Sequence, residues 1–348
     1  FVLTQNFKPD PLINMLVQMG FETLTEQVDK FRFKNYFYKP IDEEKVNVNA
    51  DKKVPVVIQS ATPITYPIIM KMLQSKELMS KIDILELKVW EETEKHMGWI
   101  INGKADISFS AVAAGAKMYL VGTDIKMTSV DIWDNFSILT RGYKADNFGD
   151  LKGHKIHLPL FTEAPPAVIT NYLMKNSGYD PNDFEFVFAK PFGRPPQIMN
   201  DFISGKADTV LLREPEASFA RYAVGEDAHL SISYTDVWQK IGNNKKMQLP
   251  NAGLIFKGEF LKNHPDIAEL FIKVLKESIE WVNNNKKESS EMAYDIMRQE
   301  PKAVEYFLNN AHLEHVPTPK IKDQLYDYLR VIDKKAAKNM DKLDGLFL

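Results

Sequence analysis

The chain has 348 residues, 44% of them hydrophobic, and a formal net charge of -3 at pH 7; that length and apolar content suit two domains, each with its own core. Lys and Asp/Glu are interspersed, so no basic face for phosphate backbones is expected and nucleic acid is not an expected partner. Cys is absent, which excludes disulfides, thiolate metal sites and cysteine nucleophiles, and no apolar run reaches the ~18 residues of a membrane span.

Residues 1–53 read as an N-terminal extension. Asp10-Pro11 is a helix-start signal, and Leu12, Ile13, Leu16, Val17, Met19, Leu24 and Val28 make a mostly helical stripe, broken at Gly20-Phe21, that is expected to dock on the main body. The polar stretch 39–53 reads as a connector. Phe1 rather than Met opens the chain, which leaves room for a leader ahead of it.

Residues 54–59 read as a strand, Ser60 to Thr65 as a hydroxyl-bearing loop and 66–78 as a helix whose N-terminus faces the strand end. A second unit follows: strand 82–90, helix 94–101, strand 107–110. Alternation at this spacing predicts a parallel sheet. Small residues over 111–116 suit a helix starting close to that sheet, and 131–140 reads as a strand leading out of the lobe. The polar segment 141–153, with three Gly, reads as the crossover. Strand 155–160, a helix to Asn176, strand 184–188, a helix opened by Pro195-Pro196 and strand 209–212 repeat the plan. Residues 231–241 and 243–247 read as the way back, 252–256 as a return strand and the remainder as helices. The expected domains are the extension 1–53, lobe I from 54–145 plus 248–348, and lobe II from 146–247.

Two copies of one segment anchor this reading. Gly103-Lys104-Ala105-Asp106 and Gly205-Lys206-Ala207-Asp208 each end a helix at a Gly suited to the left-handed position and lead into a buried strand. Equivalent lobes place the residues after each copy at the carboxyl ends of strands, where open α/β sheets bind ligands.

Asp150-Leu151-Lys152-Gly153 opening the second lobe, the Gly-Lys-Ala-Asp segment closing a helix that starts at Pro, and Glu214-Pro215 directly after the next strand together resemble the substrate-binding proteins of ABC importers. The resemblance, over about residues 54–300, is to the type that takes aliphatic sulfonates, taurine, nitrate and thiamine-precursor pyrimidines. It implies a two-lobed α/β periplasmic-binding-protein fold of type II, each lobe a mainly parallel sheet flanked by helices, joined by two crossovers and closing on a ligand by hinge motion. It further implies export to the periplasm or the outer face of the cytoplasmic membrane, often with a lipid anchor, and an ABC permease as partner; a monomer is expected.

Candidate ligand residues come from the strand ends. Ser60, Ala61, Thr62 and Thr65 can cap the first helix or turn to a ligand, and Ser108, Ser110 and Ala111 hold the matching place after the third strand. Phe161, Thr162 and Glu163 are the second lobe's counterparts of the first loop. Glu214, fixed by Pro215, can receive an N–H from a ligand or pair with Arg213. Trp133, Tyr66 and Phe192 lie near strand ends or helix starts and can stack on a planar ligand, and Asn251 can reach the cleft from the hinge. Acids in these positions favour an amine, amide or N–H heterocycle over a bare anion.

No metal or cofactor is expected. His154 and His157 fall on opposite faces of a strand, and His312 and His315 have helical spacing without a His-Glu pattern. P-loop, Gly-x-Gly-x-x-Gly, Gly-x-Ser-x-Gly and His-Glu-x-x-His patterns are missing. The expected function is capture of a small organic solute without chemistry. Two other classes stay open: an enzyme on the same scaffold, resembling menaquinone-pathway dehydratases or thiamine-pyrimidine synthases, and the ligand-sensing domain of a regulator. The synthases depend on a Cys-rich segment, which this chain lacks.

Overall fold

From Val54 onward, short β-branched runs punctuated by Gly, Pro and hydroxyl residues alternate with amphipathic helices, and this alternation folds into two sheets. The computed structural model describes residues 53–89, 93–188, 194–244 and 247–348, and ahead of them three strands, β1 (Val2–Gln5), β2 (Glu22–Asp29) and β3 (Arg32–Tyr38). Leu24 and Val28 thus lie in a strand, not in the helix their spacing predicts, because β2 forms a long antiparallel ladder with β3 and pairing overrides a weak local period. Leu12, Ile13, Leu16, Val17, Met19 and the connector 39–52 lie outside the described residues.

The first lobe begins with β4 (Val54–Ser60), α1 (Tyr66–Met72), α2 (Lys76–Lys81), β5 (Ile82–Val89), α3 (Thr93–Ile101), β6 (Ile107–Ala111) and α4 (Val112–Leu120). The single helix expected over 66–78 is two, because the Ser75 hydroxyl accepts from the Leu78 N–H and caps a new start. After β7 (Ile125–Met127) and β8 (Ser129–Trp133) the chain enters the second lobe with β9 (Phe136–Arg141), β10 (Lys155–Leu158), α5 (Pro165–Asn176), β11 (Glu185–Phe188) and α6 (Pro195–Ile203). It continues there through β12 (Thr209–Arg213), α7 (Glu216–Val224), β13 (Ala228–Ser233) and α8 (Tyr234–Ile241). β14 (Pro250–Lys257) returns to the first lobe, followed by α9 (Gly258–Asn263), α10 (Pro265–Asn284), α11 (Lys286–Met297) and α12 (Pro301–Asn310). β15 (His312–Pro317), α13 (Lys322–Ile332) and α14 (Lys334–Ala337) complete it. His312 and His315 therefore stand on a strand rather than a helix.

One sheet has the order β15-β8-β14-β6-β4-β5-β1-β3-β2 with β7 beside β14, and the other β11-β10-β12-β9-β13. Each is built on the same kernel: parallel β5-β4-β6 crossed by antiparallel β14, and parallel β11-β10-β12 crossed by antiparallel β9. The strand expected over 131–140 is thus two strands in two sheets, and the chain crosses between lobes at Asp134-Asn135. Segment 141–153 lies inside the second lobe, where the Gly142 N–H donates to Asp227 O. Residues 231–241 also belong to that lobe, as the end of β13 and α8.

The repeated segment has the same geometry in both lobes. Gly103 and Gly205 take φ of +66° and +76°, a conformation open to Gly at little cost. The next amides close the helix ends in the same way, Lys104 N–H to Trp99 O and Lys206 N–H to Asp201 O. Asp106 O then accepts from the Lys257 N–H at the end of β14, and Asp208 O from the Arg141 N–H at the end of β9. Lys257 and Arg141 place their cationic chains beside the two glycines, where the negative end of a helix favours them. The Arg141 Nη1 donates to Phe202 O and Ile203 O.

Apolar clusters lie under both kernels, and one of them runs from Val112 and Met127 of the first lobe to Ile156 and Leu211 of the second. Phe109, Phe256 and Phe271 sit under the first kernel, the last two edge to face at 6.0 Å, while Leu139, Phe202, Val210 and Leu212 fill the space below α6 and α7. A fully buried side chain of this size contributes about 1.5–3 kcal/mol.

Candidate functional site

Because both kernels end their strands toward one another, a cavity of about 880 Å³ opens between the lobes. The first lobe contributes Ala61, Thr62, Tyr66, Lys88, Met97 and Ala111; the second contributes Phe136, Phe161, Arg194, Leu211, Arg213 and Glu216. Asn251 lines it from the return strand, and Met297 and Tyr328 from the helical layer. Carbon surface and aromatic rings predominate, with a few charges among them, as in sites for organic ligands.

Among the helices that begin at this cavity, α4, α5, α6 and α7 have no side-chain hydrogen bond at their caps. Their first turns differ. α5 opens with Pro165-Pro166 and α6 with Pro195-Pro196, which have no N–H, and the third amides are spent on their own caps, Ala167 to Ala164 O and Gln197 to Arg194 O. α4 has no Pro in its first turn.

The two crossovers meet at a knot centred on Asp134, a non-Gly residue with φ of +52°. Its Oδ1 accepts from the Thr235 hydroxyl and the Leu249 N–H, both at 2.7 Å, and its Oδ2 lies 2.7 Å from His312 Nδ1. The Asp134 N–H donates to Leu249 O. This carboxylate therefore ties both crossovers to α8 of one lobe and β15 of the other. The Asp134 carboxylate raises the His312 pKa above its ordinary value, against desolvation. Next to it, Asn135 Oδ1 accepts from the Glu214 N–H at 2.8 Å and Asn135 Nδ2 donates to Asn251 at 3.2 Å. Away from the hinge the lobes touch again, where Phe219 of α7 meets Phe307 of α12 edge-on at 5.9 Å.

Of the residues expected at the site, Ala61, Thr62, Ala111, Phe161 and Asn251 line the cavity, as does Tyr66; Phe192 lies outside the described residues. The others stand off the lining for definite reasons. Ser60 and Thr65 share a 2.9 Å hydrogen bond, the Thr62 N–H donates to the Ser60 hydroxyl and the Thr65 hydroxyl donates to Thr62 O, so the loop's hydroxyls satisfy one another. Strand alternation puts Ser108 and Ser110 on the face away from Ala111, and Ser108 accepts from Gln59 Nε2. Trp133 is buried and donates its indole N–H to Glu314 O. Thr162 and Glu163 are exposed beside Phe161. Glu214 turns its carboxylate to the Ser218 N–H, and burial pushes its pKa up to about 7.

Arg213 and Glu216, which line the second lobe together with Arg194, Gln197, Asn200 and Asp201, flank the one chosen from sequence. The internal repeat holds the signal that finds the first of them: Ala111 stands eight residues after Gly103 and Arg213 eight after Gly205, so strand ends match at Arg213, not Glu214.

Two α/β lobes on one plan, two crossovers and a cavity between strand ends define the two-lobed periplasmic-binding-protein fold of type II. A family model described as NMT1/THI5 like matches residues 81–289, and the chain belongs to that family. Among solved structures, the periplasmic aliphatic sulphonate binding protein SsuA from Escherichia coli matches at 13% identity and TM-score 0.64, over 85% of this chain and 96% of its own. The periplasmic nitrate-binding protein NrtA from Synechocystis PCC 6803 matches at 11% identity and TM-score 0.64, over 85% and 86%. An ABC transporter structure from Parabacteroides distasonis matches at 15% identity and TM-score 0.64, over 85% and 96%. At these identities the likeness is one of fold. A search of curated proteins finds no match.

Proposed function

We propose that this protein is the solute-binding component of an ABC importer, which captures a small organic molecule between its lobes by closing about the Asp134 hinge and presents it to a membrane permease. The cavity of about 880 Å³ lined from both lobes carries the reading, since a ligand touching both walls favours the closed form by its differential contacts. Membership of the NMT1/THI5-like family and a fold shared with periplasmic sulphonate- and nitrate-binding proteins support it. Rings such as Tyr66, Phe136 and Phe161 in the lining favour a solute with an apolar body over a bare inorganic ion. The protein then works in the periplasm or at the outer face of the cytoplasmic membrane; among the described residues no helix is long and apolar enough to cross a membrane.

Small-angle scattering with isothermal titration over a solute panel tests the reading. A tight ligand that lowers the radius of gyration supports it, and tight binding without compaction counts against it. The protein is expected to return its ligand unaltered; a changed mass after incubation points instead to an enzyme on this scaffold.

A further inference from the structure

β12 ends at Arg213 and α7 begins at Glu216, so opposite charges leave consecutive elements at the carboxyl edge of the second kernel. Arg213 Nε stands 3.6 Å from Glu216 Oε2, an ion contact too long for a well-formed charge-assisted hydrogen bond. Among the described residues neither atom has a hydrogen-bond partner. Glu216 is only 5% exposed, and both residues line the cavity. Buried charged atoms left short of hydrogen bonds are costly, and each one in a native structure calls for an explanation, a further group that completes the pairing being one.

Glu214 has turned its carboxylate to the Ser218 N–H. The prolines of α5 and α6 remove the backbone donors that would otherwise greet an anion, and the third amides are spent on their caps. Phe136, paired across the ladder from Arg213, lines the cavity beside the two charges with Leu211 and Phe219, and Arg194 and Asp201 line it from the same lobe.

We infer that Arg213 and Glu216 recognise a net-neutral polar group in which an N–H stands beside an acceptor oxygen, as in a carboxamide, ureide or lactam. The N–H donates to the Glu216 carboxylate and the oxygen accepts from the Arg213 guanidinium. A bare anion gains the arginine but meets Glu216, and a bare cation gains the glutamate but meets Arg213; beside largely apolar lining both repulsions are stronger than in open water. A neutral donor–acceptor group disturbs neither charge. The inference rests on the cleft being the ligand site and adds the chemistry of the ligand's polar end.

Ligand-observed NMR titration of the whole protein with benzamide, benzoate and benzylamine tests it, with wild type, Glu216→Gln and Arg213→Gln run in parallel. Wild type is expected to bind benzamide at least tenfold tighter than either charged analogue. Glu216→Gln moves the preference toward benzoate and Arg213→Gln toward benzylamine, a reciprocal switch that a purely structural ion pair does not produce. Equal or tighter wild-type binding of a charged analogue, or an order unchanged in both variants, overturns the inference. Should a variant fail to fold, the wild-type order alone decides. If wild type binds none of the three, native mass spectrometry of the solute carried through purification decides: a neutral amide-type group upholds the inference, and a ligand charged at its polar end overturns it with the cleft reading intact. Absence of compaction with any solute removes the cleft reading itself, and this inference with it.

Discussion

The two lobes share a backbone kernel and differ in what surrounds it. The first kernel is embedded in a ten-stranded sheet, with β8 packed along the far side of β14, whereas the second stands in a five-stranded sheet that ends one strand beyond β9. Their cavity walls differ too, an α4 start without Pro facing proline-opened helices and an Arg–Glu pair. Backbone hydrogen bonding fixes the duplicated plan, and each lobe then specialises through side chains that the plan leaves unconstrained.

The sharpest break is expected at equivalent positions of the crossing strands. Register matches Gly253 of β14, opposite Ser110, with Ser137 of β9, opposite Leu212. A Cβ on Gly253 falls 1.8 Å from Ser129 O in β8, so Gly253→Ala is expected to destabilise the protein by at least about 3 kcal/mol. Ser137→Ala is expected to cost under about 1 kcal/mol. Urea denaturation measures both, and similar losses mean that β8 does not constrain the first kernel.

Next in size is the hinge, where the lobes are joined rather than compared. Asp134→Ala strips partners from Thr235, Leu249 and His312 and is expected to cost about 2–3 kcal/mol. It is also expected to reduce the pH dependence contributed by His312, leaving the smaller part due to Glu314. That pKa is raised in the folded state, so the contribution is full below the ordinary His value and fades as pH climbs through the raised one. Melting temperatures from pH 5 to 9 for both proteins check this; parallel curves disprove it.

Glu214 titrates in the same direction from the second lobe. Its carboxyl is raised to about 7 by burial, so the folded state holds a proton that the unfolded chain releases at the ordinary carboxylate value. Stability is therefore lost between about pH 4.5 and 7. Glu214→Gln is expected to flatten that slope and to gain about 2 kcal/mol at pH 8; a variant less stable than wild type at that pH contradicts the assignment.

The smallest effects concern what the lobes have in common. Gly103→Ala and Gly205→Ala, both at positive φ, are expected to cost about 1 kcal/mol each. The second is expected to be slightly worse, because its Cβ meets Arg141 Nη1 at 3.3 Å while nothing lies within 3.8 Å of the first. Unequal losses by several-fold would show that the duplicated turns are not equivalent in energy.

Much of this plan is legible in the sequence. The alternation of strand and helix, the Gly-Lys-Ala-Asp copies and the return strand β14 all depend on periodicity and on Gly and Pro conformations, which are local properties. The N-terminal strands and β15 are less legible, since each is a strand by virtue of its partner; the spacing of His312 and His315 suits a helix until pairing with β8 extends it. At the site, sequence finds the loops and several lining residues, Thr62, Tyr66, Phe161 and Asn251 among them, but not the Arg213–Glu216 pair. Ser60 and Thr65 carry the right chemistry, yet they bond to each other, and of the two acids flanking Pro215 it is Glu216, not Glu214, that lines the cavity.

By itself the sequence determined that there are two βα lobes, where their helices stop and which turns stand at the strand ends, because helix stops and apolar periods are written in neighbouring residues. Only the tertiary structure decided that the chain crosses at Asp134-Asn135, that one carboxylate ties both crossovers, and that Arg213 and Glu216 share the cavity wall. Those outcomes depend on register and on facing surfaces, where a shift of one residue turns a side chain from the cavity into the core.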